Sequence, residues 1–241
     1  MDAGIQMYSV RDAAETNVKD TLRKLSDIGY KSVEFAGFFG YKAEEIRDWL
    51  GEYGLRVTST HTQLKDLSED YGNTVAYHKV IHNNDIIIPW TDLSTKEDTD
   101  ELVRSINILQ PKLADDGITL HYHNHDFEFV PNKDGIIPYD YITQTNIQLE
   151  VDTYWVYAAG LDPVALLDKY HSRMKFYHIK DGLGGYRQNA NGRPLGQGTA
   201  PVSAVWTKAK EYGLYPIVES ETLTPDGLTE ARVCYDYLQT L

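Results

Sequence analysis

Apolar positions along the chain alternate between two patterns. Short runs rich in β-branched residues are separated by longer segments whose apolar residues recur every three to four positions. The longer segments repeatedly end at a glycine, and once at an asparagine, and a strand-like run follows within a few residues. Such a residue ends a helix because glycine adopts the left-handed conformation at little steric cost. The pattern therefore predicts repeated strand–helix units, which favour a parallel sheet covered by helices.

Eight strand–helix units fit the length of the chain. The predicted strands are Ile5–Tyr8, Ser32–Phe35, Arg56–Thr60, Asp85–Pro89, Ile118–Asn124, Ile147–Asp152, Lys175–Lys180 and Tyr215–Glu219. The predicted helices are Val18–Ile28, Ala43–Tyr53, Thr99–Ala114, Pro138–Gln144, Val164–Tyr170, Val202–Tyr212 and Leu228–Leu238. Over 241 residues this gives about 30 residues per unit, as in an α/β fold of the (β/α)8 TIM-barrel type. A doubly wound sheet would leave two strands unassigned. Residues 1–241 are predicted to form a single TIM-barrel domain.

Composition and charge exclude several classes of protein. Hydrophobic residues make up 41% and charged residues 24%, which is a globular composition. A net charge of −13 offers no basic surface, so no nucleic-acid partner is expected. Apolar runs such as Ile86–Trp90 are far too short to cross a membrane. The N-terminus lacks the features of a signal peptide, which predicts a cytoplasmic protein. The single cysteine, Cys234, excludes an intramolecular disulfide framework.

Histidines and carboxylates lie at or near the carboxyl ends of four neighbouring predicted strands, which is where TIM barrels carry their catalytic residues. They are His121, His123, His125 and Glu128, then Glu150 and Asp152, then His178, and finally Glu219 and Glu221. Glu34 lies on the second strand and His61 closes the third. Imidazole and carboxylate together suit Mn, Co, Zn or Mg, and four protein ligands leave positions open for substrate oxygens. We therefore predict one divalent metal ion, with a row of solvated rim residues as the alternative.

Three segments carry a resemblance to a known family. They are Tyr122–Phe129 (YHNHDFEF), Leu149–Trp155 (LEVDTYW) and His178–Asp181 (HIKD), with a short glycine motif at Leu195–Gly198. Through them the chain resembles the sugar-phosphate isomerase/epimerase group of xylose-isomerase-like TIM barrels, which includes inosose dehydratase and ketose 3-epimerases. The resemblance extends over nearly the whole chain.

The resemblance implies a metal held by Glu, Asp, His and Glu from strands five to eight. Matching the motifs assigns Asp152, His178 and Glu219 to the last three ligands. The glutamate of strand five falls on His123 in this sequence. Either His123 replaces that glutamate, or Glu128 supplies an oxygen from the following loop, and both remain candidates.

The resemblance also implies an activity. The expected enzyme is a divalent-metal-dependent sugar isomerase/epimerase, which abstracts a proton next to a carbonyl through a metal-stabilised enediolate. The expected substrate is a small-molecule keto-sugar or cyclitol. Candidate catalytic residues are Glu219 or His125 as the base, and Lys180, which shares a strand face with His178 and could hold a substrate oxygen. The candidate substrate-binding residues are His61, Trp90, Trp155 and Glu221.

Other activities fit the same residues. A dehydratase or lyase, or a 3-keto-glycoside hydrolase, would use the same intermediate. A non-catalytic sugar-binding barrel would follow if the altered first ligand abolished metal binding. A metal-dependent phosphodiesterase like the apurinic-site endonucleases is disfavoured by the acidic charge. Gly184–Arg187 is a weak signal for a phosphate-binding loop. Because barrels of this kind often pair, a homodimer is also an expectation.

Overall fold

The computed structural model describes residues 2–184 and 192–241. Its strands are β1 (Gly4–Gln6), β2 (Ser32–Ala36), β3 (Arg56–His61), β4 (Asp85–Ile88), β5 (Thr119–His123), β6 (Gln148–Asp152), β7 (Phe176–Ile179), β8 (Asp181–Gly182), β9 (Gly192–Arg193) and β10 (Tyr215–Val218). Eight of them close a parallel barrel in the order β1-β10-β7-β6-β5-β4-β3-β2, and β8 pairs with β9 as a separate antiparallel hairpin. The predicted barrel is confirmed. Of the weak phosphate-loop candidate Gly184–Arg187, all but Gly184 lies outside the described residues.

The helices surround the barrel. They are α1 (Arg11–Thr16), α2 (Val18–Ile28), α3 (Ala43–Tyr53), α4 (Leu64–Glu69), α5 (Tyr71–Val80), α6 (Lys96–Asp115), α7 (Pro138–Gln144), α8 (Thr153–Ala158), α9 (Pro163–Tyr170), α10 (Val202–Glu211) and α11 (Gly227–Leu238). Three short 3-10 helices cover Met7–Val10, Phe127–Phe129 and His171–Arg173. Among the described helices, none combines the length and the apolar character needed to cross a membrane.

Local side-chain bonds explain where the elements differ from the prediction. The first strand ends at Gln6, because the Gln6 side chain accepts a hydrogen bond from the Tyr8 amide and turns the chain into a 3-10 helix. Helix α6 begins at Lys96, earlier than predicted, because Thr95 and Asp98 form a capping box. The short helices α1, α4 and α8 and the longer α5 were not predicted, and the periodicity of α5 is too weak to reveal it.

The two faces of the barrel strands have different surroundings. Outward-facing residues pack with the helices in one large apolar core. Inside the barrel, a small cluster of Ile87, Phe176 and Ile217 fills the lower part. Alternation along a strand puts Phe176 and His178 on the same face, and likewise Ile217 and Glu219. The barrel interior therefore has an apolar lower layer, where His121 packs against Phe176, and carries a larger group of titratable side chains above, toward the carboxyl ends of the strands.

Candidate functional site

Four buried side chains meet at the upper end of the barrel. His123, Asp152, His178 and Glu219 each place one ligand atom within 4.8 Å of the others. They lie at the ends of β5, β6 and β7 and directly after β10, which are adjacent in the barrel. Asp152 and His178 are also partners in the strand register. These four of the five sequence-predicted metal ligands are therefore brought together by the closure of the barrel.

In three members of this group, buried polar atoms have no hydrogen-bond partner among the described residues. They are Oδ2 of Asp152, Nδ1 of His178 and both ring nitrogens of His123. The His178 Nδ1 atom lies 3.8 Å from Asp152 Oδ2 and 3.3 Å from Glu219 Oε2. Ligand atoms bound at about 2.1 Å to one ion are separated by roughly 3 to 3.5 Å. Because unpaired buried polar atoms are costly, this donor set fits a divalent cation.

Asp152 also shows how the fold fixes one ligand. Its Oδ1 atom accepts a hydrogen bond of 2.9 Å from the Trp155 amide and so caps helix α8, which starts at once after β6. The cap immobilises the carboxylate and leaves Oδ2 directed toward the group. Although burial raises the pKa of Asp152, its close contacts with His123 and His178 lower it to well below the ordinary range, so the group is ionised.

Glu128 lies outside this group. Its two oxygens accept hydrogen bonds from the Tyr122 hydroxyl and the His125 amide, each at 2.9 Å. Tyr122 belongs to the outer apolar core, so Glu128 is directed away from the barrel interior. Burial raises the pKa of its carboxyl to about 8. Of the two alternatives for the first ligand, this geometry favours His123.

A buried carboxylate holds His178 from its other side. Nε2 of His178 lies 2.7 Å from Oε1 of Glu34, which also accepts a hydrogen bond of 2.6 Å from Gln6, while Ser59 donates to Oε2. Burial raises the pKa of Glu34, but His61 and His178 more than offset this and hold it well below its usual range. An ionised carboxylate only accepts hydrogen bonds, so Nε2 of His178 carries the proton. Burial lowers the pKa of His178, but Glu150 and Glu34 raise it well above its usual value, so a cation would displace the Nδ1 proton to form a carboxylate–histidine–metal arrangement.

His61 and Glu150 extend this buried network. Nε2 of His61 lies 2.9 Å from Glu150 and 3.2 Å from Glu34. Burial and the charge of Glu34 raise the pKa of Glu150 to about 8. Burial lowers the pKa of His61, yet the two carboxylates raise it to about 10. His61, Glu150, His123 and His178 form a second group of ligand atoms within 4.8 Å. The sequence places Glu34 and Glu150 on strands but assigns neither as a ligand or catalytic residue. Glu150 and Asp152 lie two positions apart on one strand and therefore point to the same face, which was a usable signal.

A cavity of about 520 Å³ opens above the group, and we call it the reaction cavity. Its lining includes Tyr8, His61, Trp90, His125 and Glu221. The Trp90 side chain is 51% exposed, as an aromatic wall for a ligand would be. The cavity thus contains three of the four predicted substrate-binding residues.

Trp155, the fourth predicted substrate-binding residue, is buried behind the cavity lining. Its ring centroid lies 5.5 Å from that of His125, and its ring lies 4.7 Å from the Lys180 ammonium. Within the described part of the chain, Nε1 of Trp155 and Nδ1 of His125 have no hydrogen-bond partner. Burial, together with His123 and Lys180, lowers the pKa of His125 to about 3, so its ring is neutral at pH 7.

Lys180 is a buried cation between two carboxylates. Its Nζ atom lies 3.2 Å from Glu219 Oε2 and 2.8 Å from Glu221 Oε2. Burial lowers the pKa of Lys180, but these carboxylates raise it above its ordinary value. Lys180 therefore stays charged and is a hydrogen-bond donor at the site rather than a base.

The glycine motif at Leu195–Gly198 has a structural role. The Asp181 carboxylate accepts hydrogen bonds from four backbone amides, those of Gly182, Gly196, Gly198 and Ala200. A Cβ atom at Gly198 would lie 2.1 Å from Asp181 Oδ1, so only glycine fits. Asp181 thereby fixes this loop beside the end of β7.

The fold and the site together define the class of protein: a (β/α)8 barrel with a group of histidines and carboxylates at the carboxyl ends of adjacent strands. Residues 22–233 match the model of the xylose isomerase-like TIM barrel family, and the chain belongs to this family.

Known proteins resemble the chain in sequence and in fold. An inosose dehydratase from Clostridium beijerinckii is 25% identical over 176 residues, which are 69% of this chain and 55% of that protein. The chain thus matches only about half the length of this relative. A sugar phosphate isomerase/epimerase from Parabacteroides distasonis has a TM-score of 0.86 at 22% identity, covering 100% of this chain and 98% of that one. The zinc-containing structure of the IolI protein has a TM-score of 0.75 at 14% identity, covering 100% and 97%.

Proposed function

We propose that the protein is a divalent-metal-dependent isomerase or epimerase of a keto-sugar or cyclitol, which acts by removing a proton next to the carbonyl. The observation that carries this proposal is the buried group of His123, Asp152, His178 and Glu219, three of which have unpaired ligand atoms, below a cavity large enough for a sugar ring. The similarity to an inosose dehydratase supports a cyclitol or sugar substrate.

These four residues would hold the metal ion. Two imidazole nitrogens and two carboxylates suit Zn, Co or Mn better than Mg, which prefers oxygen ligands throughout. The zinc in the IolI neighbour agrees with this choice. When bound, the ion would supply Lewis-acid polarisation of a carbonyl oxygen. Glu34 would keep His178 in the tautomer that can bind it.

The protein's own side chains would handle the proton. His125 borders the reaction cavity and has Nδ1 free of any partner in the described segments, so it is the first candidate for the base. Glu219 is the second candidate, but its Oε2 atom already contacts Lys180 and His178. The Lys180 ammonium would stabilise negative charge that develops on a substrate oxygen. Return of the proton to the opposite face gives epimerisation, and return to the neighbouring carbon gives isomerisation.

Dehydration is the second candidate function, and Glu221 favours it. Burial raises the pKa of this carboxyl, which increases its protonated fraction, and its side chain lines the reaction cavity. Glu221 could therefore donate a proton to a leaving β-hydroxyl group, which departs as water after His125 takes the proton from carbon. The activity of the named relative, an inosose dehydratase, is of this type.

Metal content tests the shared basis of both functions. We expect elemental analysis of tag-free protein to find about one Zn, Co or Mn per chain, and Asp152→Ala and His178→Ala to lose it. Absence of metal, even after Mn²⁺, Co²⁺ or Zn²⁺ is added, would reject the proposal and favour a sugar-binding barrel.

Deuterium exchange then separates the two reactions. Metal-loaded protein is incubated in D₂O with inososes and keto-sugars, and NMR reports exchange at the carbon beside the carbonyl. We expect His125→Gln to keep the metal and lose exchange. Glu221→Gln is the matched variant, and it should retain deuterium exchange. If the enzyme is a dehydratase, Glu221→Gln should no longer form the ultraviolet-absorbing enone. Exchange that survives in His125→Gln would remove His125 as the base. A cytoplasmic location, a homodimer and a single domain over residues 1–241 stay predictions.

A further inference from the structure

A second cavity lies beside the reaction cavity on the same rim. It has a volume of about 590 Å³, and we call it the loop cavity. Residues after β4 and residues after β5 line it, among them Trp90, Phe127, Val130 and Asn132. Trp90 lines both cavities, so they share one aromatic wall. A ligand bound over the candidate metal group can therefore extend past Trp90 into the loop cavity.

A stacked pair of rings also connects the two cavities. His125 lines the reaction cavity and Phe127 lines the loop cavity. Their ring centroids are 5.6 Å apart and their planes are tilted by only 17°. The ring of His125, the candidate base, is thus stacked on a ring of the loop-cavity wall. This arrangement is expected where one ligand extends from one cavity into the other.

The loop cavity is preformed, because hydrogen bonds tie its two loops together. The Asn132 side chain donates to the Leu93 carbonyl oxygen at 3.0 Å, and the Lys133 amide donates to the Ser94 carbonyl oxygen at 3.0 Å. The Lys96 amide, at the start of α6, donates to Asp134 at 2.7 Å. When a cavity already has its final shape, little free energy is lost in ordering its loops as a ligand binds.

The lining of the loop cavity matches the surface of a second ring. Trp90, Phe127 and Val130 offer apolar faces, while Ser94 and Lys133 bring hydrogen-bonding groups to the same walls. Ligand sites commonly combine aromatic walls with a few polar groups in this way. The reaction cavity, at about 520 Å³, already has room for one sugar ring. The loop cavity is therefore additional space that a single-ring substrate would leave unused.

We propose that the substrate is a glycoside: its reacting sugar ring occupies the reaction cavity, and a second six-membered ring, joined through a glycosidic bond, occupies the loop cavity. This inference rests on the proposed function for the identity of the reacting ring. The second ring is either another sugar or an aromatic group, since both present flat apolar faces to Trp90 and Phe127.

Calorimetric titration of the metal-loaded protein tests this proposal without turnover. The one-ring probes are the methyl α- and β-D-glucopyranosides, and the two-ring probes are cellobiose, maltose and the phenyl D-glucopyranosides. We expect at least one two-ring probe to bind at least about tenfold more tightly than the one-ring probe of the same anomer. A preference for phenyl glucosides identifies an aromatic second ring, and a preference for a disaccharide identifies a sugar.

A variant that fills the loop cavity supplies the decisive comparison. Val130→Trp should remove the two-ring advantage and leave the one-ring affinity unchanged, and Val130→Phe is a milder version in case tryptophan disturbs folding. Ile108→Trp is the matched control, because Ile108 is 68% exposed on helix α6 and lines neither cavity. Equal affinity for one-ring and two-ring probes, or a two-ring advantage that survives both Val130 variants, would overturn the proposal. Metal content and deuterium exchange with one-ring keto-sugars test the proposed function separately.

Discussion

The contact between Glu34 and His178 gives the sharpest test of the site. Glu34→Gln keeps the shape of the side chain but replaces an acceptor-only carboxylate by an amide with one acceptor oxygen. Besides His61 at 3.2 Å, three donors approach the Glu34 carboxylate, from His178, Gln6 and Ser59. One amide oxygen cannot serve all three, and the new NH₂ group faces a donor. We expect His178 to lose its fixed orientation and tautomer.

The magnitude follows from the kind of contact that is lost. Removal of the carboxylate that orients a metal-binding histidine typically costs 10–100-fold in metal affinity, or roughly 1.4–2.8 kcal/mol. The 2.7 Å contact to a fully buried Glu34 places this variant toward the upper end of that range. Glu34→Asp restores the charge on a shorter side chain and should recover part of the affinity.

Competition with a chromogenic chelator measures the metal dissociation constant, and the visible spectrum of the Co²⁺ form reports the ligand geometry. His61→Gln is the matched control, because His61 contacts the same carboxylate but is absent from the group of His123, Asp152, His178 and Glu219. If Glu34→Gln binds metal within about threefold of the unaltered protein with an unchanged Co²⁺ spectrum, Glu34 does not position His178. If His61→Gln loses the metal instead, the ion is held by the second group, which consists of His61, His123, Glu150 and His178.

Three further predictions follow from the geometry. His123→Glu should retain the metal but shift the metal preference from Zn toward Mn or Mg, as measured by competitive loading. Glu128→Gln should keep the original metal content and preference. Loss of metal in Glu128→Gln would instead identify Glu128 as the ligand. Removal of the metal by a chelator should lower the melting temperature, because an ion present at 100 times its dissociation constant stabilises the folded protein by about 2.7 kcal/mol. A melting temperature that does not change when chelator is added would contradict a tightly bound ion. Asp85→Asn should destabilise by about 1–3 kcal/mol at pH 7, because His121 and Lys175 lose a charged acceptor. Burial raises the pKa of Asp85, but these partners lower it below 3.8. The stabilisation that Asp85 contributes is therefore present above pH 3.8 and is lost as pH falls through the folded-state pKa. An equal difference in unfolding free energy between the variant and the unaltered protein at about pH 7 and pH 2.5, measured in urea, would contradict this.

The barrel could be predicted because its signals are local. Glycine after a helix, followed by a short apolar strand, is read within about ten residues, and the predicted bounds of α2, α3 and α7 are those observed. The meeting of Asp152, His178 and Glu219 was also accessible, since parallel strands in a closed barrel bring their carboxyl ends to one rim.

The remainder of the site depends on three-dimensional arrangement. His178 and Glu34 are separated by 144 positions and touch across the inside of the barrel. The 3-10 helix Phe127–Phe129 directs Glu128 outward, and no pattern in the sequence reveals that direction. Trp155 lies behind the cavity lining because α8 begins directly after β6. The loop cavity depends on hydrogen bonds between two loops that have no periodic pattern at all.

The order of the strands places the candidate metal ligands on one half of the barrel and most of the reaction-cavity lining on the other. The four candidate metal ligands come from β5, β6, β7 and the end of β10, which form one continuous side. Most of the reaction-cavity lining, including Tyr8, Gln63 and Trp90, comes from the ends of β1 to β4 on the other side. Loops of the first half can therefore be exchanged during evolution without disturbing the chemistry of the second. A barrel arranged in this way can change the ligand that it accepts through half of its rim while the other half keeps the candidate metal group.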